Sequence, residues 1–94
     1  MSEREGVVSD PAGAPVITLF TKRGCHLCDE AREVITKVAA ELGVCWEERD
    51  ITRSAEDTER YWEQIPVTLI DGVQHDFWRV DETRLRTALL ARMP

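Results

Sequence analysis

The chain has 94 residues, 18 acidic against 12 basic, for a formal net charge of −6, enough for one domain with a modest core of two or three layers. The acidic balance speaks against a nucleic-acid surface, which is basic, and the apolar runs fall short of the roughly 18–20 residues of a membrane span. Glu3, Glu5 and Asp10 stand where a secretory signal would be apolar, so a cytoplasmic chain with reduced thiols is expected.

Residues 1–15 hold Gly6, Pro11, Gly13 and Pro15 without a periodic apolar pattern, and read as a flexible N-terminal tail ahead of a domain over 16–94. Val16-Ile17-Thr18-Leu19-Phe20 is a short β-type run, too short for a helix. Thr21-Lys22-Arg23-Gly24 connects it to Cys25-His26-Leu27-Cys28, with Gly24 free to take an unusual backbone angle. A helix follows, since Leu27, Ala31, Val34, Ile35, Val38, Ala39 and Leu42 recur at helical spacing. Glu30, Glu33, Lys37 and Glu41 take its other side, Glu33 and Lys37 as an i,i+4 pair. Gly43 closes it.

Val44 to Ile51 is a second strand, its alternation broken by consecutive Glu47, Glu48, Arg49 and Asp50. Ser54-Ala55-Glu56-Asp57 opens a short polar helix through about Trp62. Gln64-Ile65-Pro66 stops that helix and leads into a third strand, Val67-Thr68-Leu69-Ile70. Asp71-Gly72 is a hairpin signal, so Val73 to Arg79 returns antiparallel. Asp81 caps a last helix with the apolar stripe Leu85, Ala88, Leu89 and Met93. The order β-α-β-α-β-β-α predicts an α/β fold: a right-handed βαβ unit with parallel strands, an antiparallel hairpin, and a small four-stranded mixed sheet with helices on both faces.

Cys25 falls at the start of the first helix, where backbone amides lack intrahelical partners and the helix dipole is positive. Both favour the thiolate, the reactive form. Lys22 and Arg23 act in the same sense, Asp29 and Glu30 against it. Cys28 is one turn on, on the same face and within disulfide reach. Strand, turn and paired thiols at a helix start form the layout of a dithiol redox site. Two other readings stay open: a metal- or iron–sulfur-binding module, and a non-catalytic interaction domain. Tetrahedral zinc takes four ligands, and His26, Cys45 and His75 are not paired at ligand spacing. Cys45 reads as core material, His75 as surface or satisfied core, and the acidic run from Glu47 to Glu63 as a solvated face. Trp46, Trp62 and Trp78 read as packing residues, with Trp62 a candidate for lining a groove near Pro66.

Three segments together, Phe20-Thr21-Lys22-Arg23-Gly24-Cys25-His26-Leu27-Cys28, Ile65-Pro66 before an apolar strand, and Asp71-Gly72, resemble the glutaredoxin branch of the thioredoxin superfamily, specifically the small bacterial glutaredoxin-like proteins, over about residues 16–93. The resemblance implies the thioredoxin fold and a thiol–disulfide oxidoreductase in which Cys25 attacks and Cys28 resolves the mixed disulfide. It further implies a cis Pro66 facing the cysteines, Ile65 presenting backbone to an extended substrate, and Lys22 pairing with a carboxylate of a small thiol. On this reading no cofactor is bound, and electrons come from a low-molecular-weight thiol such as glutathione or from a flavin reductase. The partners are disulfide-containing proteins or small thiols, with no nucleic acid or membrane, and the protein is a monomer. The chain departs from the family pattern at Phe77-Trp78-Arg79-Val80-Asp81, which lacks the usual glycine pair, at Leu27 in place of an aromatic, and at His26 in place of a proline. Weak glutathione binding is the consequence expected.

Overall fold

The computed structural model describes residues 15–93. The stretch read as a tail lies outside them except for Pro15, which is fully buried; Pro94 also lies outside.

The β-rich run at 16 forms β1 (Val16–Thr21), the periodic segment after the cysteines forms α1 (His26–Leu42), and β2 (Cys45–Asp50) follows. A 3-10 turn over Ile51–Arg53 leads to α2 (Ala55–Tyr61), the hairpin strands β3 (Val67–Ile70) and β4 (Val73–Phe77), and α3 (Glu82–Arg92). The sheet order is β2-β1-β3-β4. β1 runs parallel to β2 and antiparallel to β3, and β3 pairs antiparallel with β4.

Alternation along the central strands splits the core in two. Ile17 opposite Ile70, together with Leu19, faces Ala31, Ile35 and Val38 of α1 and Leu85 and Leu89 of α3. On the other face Phe20 opposite Val67, together with Leu69, packs with Ile51, Tyr61 and Ile65. The Phe20 and Tyr61 rings stack with centroids 4.6 Å apart. Cys28 joins this second cluster.

Local signals set the boundaries. Gly43 ends α1 at φ 70, and Ser54 and Asp81 side chains accept from the Asp57 and Arg84 amides at 3.2 and 2.9 Å. Asp71 and Gly72 both take positive φ, 53 and 83, as the tight hairpin needs. β2 is one residue shorter than expected at each end, and its charged run is explained by its place at the sheet edge. There Glu47 and Glu48 accept hydrogen bonds from the Thr18 and Thr21 hydroxyls at 3.1 and 2.9 Å, and a charged edge resists pairing with another chain. β4 stops at Phe77 instead of Arg79 because Trp78 takes φ 63. The Glu33–Lys37 pair does not form: Lys37 pairs with Glu82 at 3.1 Å, since α3 starts beside α1. Arg86 strengthens the same seam, reaching Glu41 and Glu82 at 2.7 Å each. No described helix is long and apolar enough to cross a membrane.

Tyr61→Ala removes the stacked ring from the cluster that holds Cys28, and is expected to lower stability by about 3 kcal/mol, read from urea unfolding.

Candidate active site

β1 is paired on both sides, so the point at which it releases the chain is fixed. Gly24 makes the turn at φ 79, and Cys25 becomes the N-cap of α1 in extended geometry. Its Sγ accepts from the Cys28 backbone amide at 3.1 Å. This is the role a serine or aspartate oxygen usually plays at a cap. The sulfur therefore sits on the unpartnered amides at the positive pole of α1.

The two thiols differ in surroundings. Cys25 is half-buried, whereas Cys28 is 1% exposed. Burial, and secondly the hydrogen bond with Cys25, push the Cys28 thiol up to about 12. At neutral pH it is held protonated.

On one side of Cys25 lies a charged cleft of about 400 Å³, lined by Lys22, Arg23, His26, Asp29, Arg32, Glu48 and Asp50. Arg32 grips Glu48 through two parallel hydrogen bonds, Nε to Oε1 and Nη2 to Oε2, both 2.7 Å. Its Nη1 reaches Asp29 at 2.7 Å. The Arg32 guanidinium, with the Thr21 hydroxyl as a lesser cause, holds the Glu48 carboxyl below its ordinary range. This network ties the end of β1, the first turns of α1 and the edge strand β2 around the 22–25 loop. Asp50 is likewise lowered, first by the Thr52 hydroxyl and then by its amide.

The expected site residues fall as follows. Lys22 is exposed on the rim of the charged cleft. Ile65 is buried in the Cys28 cluster, against which Cys25 also packs. Pro66 is fully buried and the Ile65–Pro66 peptide is cis. The cysteines and Ile65 thus meet in one cluster, while Lys22 lines the charged cleft beside Cys25.

Several other readings are corrected. Trp62 and Trp78 are not packing residues: they are 57% and 53% exposed, one at the C-cap of α2 and one in the turn after β4, where no layer covers them. Trp46 alone of the three tryptophans packs on the core. Cys45 is half-buried and not core, because β2 is an edge strand. His75 is half-buried, but its Nε2 is enclosed without a partner. It sits where the β3–β4 register shifts, and burial lowers its pKa. Among the described residues, no three His, Cys, Asp or Glu side chains converge so as to hold a metal ion.

A second cleft, of about 520 Å³, was not legible in the sequence. Leu27 of the C-x-x-C segment lines it together with Phe77, Trp78, Arg79, Val80 and Arg84. The Arg32–Glu48 pair was equally hidden, because its 16-residue separation closes only through the β1–β2 register.

The raised Cys28 pKa carries a pH dependence. An unfolded thiol ionises near about 8.5 and this one, folded, near about 12, so above about pH 9 unfolding releases a proton and stability falls, by at most about 1.4 kcal/mol per pH unit. Cys28→Ala removes the effect. Its stability deficit relative to the wild type should narrow between about pH 8 and pH 11 in urea titrations; a constant gap would show that burial does not hold the proton.

Comparison with known proteins places this geometry. A family model described as Glutaredoxin-like domain (DUF836) matches residues 16–90. Uncharacterized proteins of Mycobacterium tuberculosis and Mycobacterium bovis are 32% identical over 77 residues, covering 77% of this chain and 79% of theirs. A structural-genomics target protein from X. campestris superposes with a TM-score of 0.67 at 29% identity, covering 80% of this chain and 96% of that one. A mutant thioredoxin from Halobacterium salinarum also gives 0.67, at 17% identity, covering 87% of this chain and 77% of that one, a likeness of fold.

Proposed function

Because the chain belongs to the glutaredoxin-like domain family and has the thioredoxin fold, we propose that it is a dithiol–disulfide oxidoreductase acting through Cys25 and Cys28. The observation that carries this reading is the asymmetry of the pair: an accessible sulfur on a helix-start amide, and one turn inward a buried, protonated thiol.

The Cys25 thiolate attacks one sulfur of a substrate disulfide. A Cys25–substrate bond forms as the substrate S–S bond breaks, and the departing thiolate takes a proton from water. Burial is the main cause of the raised Cys28 pKa, and the thiol's own hydrogen bond to Cys25 and, less, the charge on Cys25 add to it. Forming the mixed disulfide removes the Cys25 contributions and leaves burial, so Cys28 becomes easier to ionise when its turn comes. It then attacks Cys25 Sγ, the Cys25–Cys28 disulfide forms, and the second substrate thiol leaves. Two electrons have passed from the dithiol to the substrate. They are restored by two equivalents of a low-molecular-weight thiol or by a flavin reductase, with no bound cofactor.

On this reading Lys22, exposed in the cleft beside Cys25, meets a carboxylate of a small thiol, and Ile65 and Pro66 serve an extended substrate. Glutathione itself is a poor fit. The Asp81 carboxylate is engaged by the Arg84 amide at 2.9 Å, and no glycine in 77–81 allows close backbone approach. Protein disulfides are the preferred substrates on this reading, met by a monomer in a reducing, cytoplasmic setting.

Cys25→Ser should reduce turnover of a small disulfide to background, while Cys28→Ser should accumulate a mixed disulfide on Cys25, detected by intact mass. Trapping by Cys25→Ser instead would reverse the roles. Turnover with glutathione should lag that with other donors by about tenfold or more, an energetic gap of about 1.4 kcal/mol. Efficient glutathione turnover that is lost in both Lys22→Ala and Asp81→Ala would refute the donor reading.

A further inference from the structure

Trp78 combines exposure with backbone strain. It is 53% exposed, yet φ is 63, a region disfavoured for any residue with a Cβ and an outlier for a bulky one. The Arg79 amide closes back onto the Phe77 carbonyl at 2.8 Å, which makes this the strained hand of the γ-turn. Strain of this kind at an exposed aromatic points to function more readily than to folding.

What holds the turn is specific. The Trp78 amide donates to the Pro66 carbonyl at 2.8 Å and the Gln64 carbonyl at 3.2 Å. Its indole Nε1–H donates to the Glu63 carbonyl at 3.0 Å. Every acceptor lies in the segment that runs into Pro66. The turn therefore clamps that segment and stands the indole out beside it, edge-on to Phe77 at 5.0 Å. Trp62, 57% exposed, lines the same small cleft as Trp78.

The charge around this aromatic platform is one-sided. Glu59 and Glu63 line the cleft between the indoles, and neither has an ion-pair partner among the described residues. Arg60, the cation of that cleft, is turned to Glu56 at 3.3 Å and lies 5.9 Å over the Tyr61 ring. On the Leu27 side of Trp78 both arginines are paired, Arg84 with Asp76 at 3.2 Å and Arg79 with Glu30 at 3.1 Å, and the Asp81 carboxylate is taken up by the Arg84 amide. The platform thus meets ion-paired side chains, with Leu27 and Val80 among them, towards the C-x-x-C segment and unpaired carboxylates towards α2.

We propose that Trp78 and Trp62 dock an extended, disulfide-bearing segment of a partner protein. An apolar side chain of the segment rests on the indoles, a lysine or arginine faces Glu59 and Glu63, and the segment's cysteine reaches Cys25 past Leu27. This rests on the thiol–disulfide exchange reading, and makes the preferred substrate a basic protein segment.

Two disulfide-linked peptides test it, identical except that the cysteine and a leucine are followed by two lysines in one and two glutamates in the other. Turnover is measured with both and with hydroxyethyl disulfide. Binding is read separately by fluorescence anisotropy on labelled serine analogues, which cannot exchange. The lysine peptide should bind about fivefold more tightly at low ionic strength, the preference shrinking with added salt. Trp78→Ala should weaken lysine-peptide binding about tenfold and raise the KM for its disulfide form more than that for hydroxyethyl disulfide. Trp78→Phe, which keeps a ring and loses the N–H, should fall between. Glu59→Lys combined with Glu63→Lys should reverse the preference to the glutamate peptide, which lost packing alone does not do. Equal binding of the two peptides, wild-type binding by Trp78→Ala, or an unreversed preference in the double variant would each overturn the proposal. If the peptides bind as expected while no disulfide is turned over, the docking surface stands and the exchange reading fails. Turnover without peptide preference leaves thiol–disulfide exchange standing and overturns the docking surface.

Discussion

The hydrogen bond from the Cys28 amide to the Cys25 sulfur, 3.1 Å long, depends on where a helix begins, and that point is fixed by a strand. β1 is held by β2 on one side and β3 on the other, so its end cannot drift. The parallel β1–β2 pair requires a crossover, and α1 supplies it. Gly24 accepts the turn that joins them. A sulfur placed by this chain of constraints caps the helix whatever the surface residues around it are. The chemistry of the site is inherited from the topology of the sheet.

The same helix separates two chemically identical thiols. Most of α1 packs with α3 over Ile17 and Leu19, but its first turn sits at the sheet's end, where Cys28 reaches the Phe20–Tyr61 cluster on the other face. One sulfur is therefore near solvent and the other in the core, and burial keeps the inner one protonated. The Arg32–Glu48 pair braces this corner from outside. Its bidentate geometry and the Thr21 hydroxyl bond join three elements around the loop that carries Cys25. Both partners are only partly exposed, 38% and 32%, so the pair is shielded from solvent more than an open surface pair and is worth more than one.

The turn after β4 is built differently. There the backbone accepts a left-handed tryptophan, and three hydrogen bonds to the 63–66 segment compensate. A flexible polar turn would close β4 with less strain. The strained one holds the segment leading into Pro66 against the hairpin and places an indole in the cleft that Leu27 lines. The C-x-x-C segment thus meets two different surfaces: a charged cleft that Cys25 lines with Lys22 and Arg32, and one that Leu27 lines with Phe77 and Trp78.

Element order, the hairpin and the helix caps were legible in the sequence because each rests on local rules. Apolar period marks α1, two residues able to take positive φ mark the turn at Asp71-Gly72, and side-chain oxygens mark the caps at Ser54 and Asp81. The paired thiols were legible for the same reason, since their spacing and their place at a helix start are local facts. What the sequence could not carry was anything set by register or by layering. Glu48 meets Arg32, and Lys37 leaves Glu33 for Glu82, only once strands and helices are side by side. Cys45 is half-buried because β2 lies at the edge, and His75 encloses an unpartnered nitrogen because the register shifts beside it. Trp78 is the sharpest case. Local preference forbids a bulky residue at positive φ, so its conformation follows from hydrogen-bond acceptors up to 15 residues away, which tertiary structure alone brings within reach.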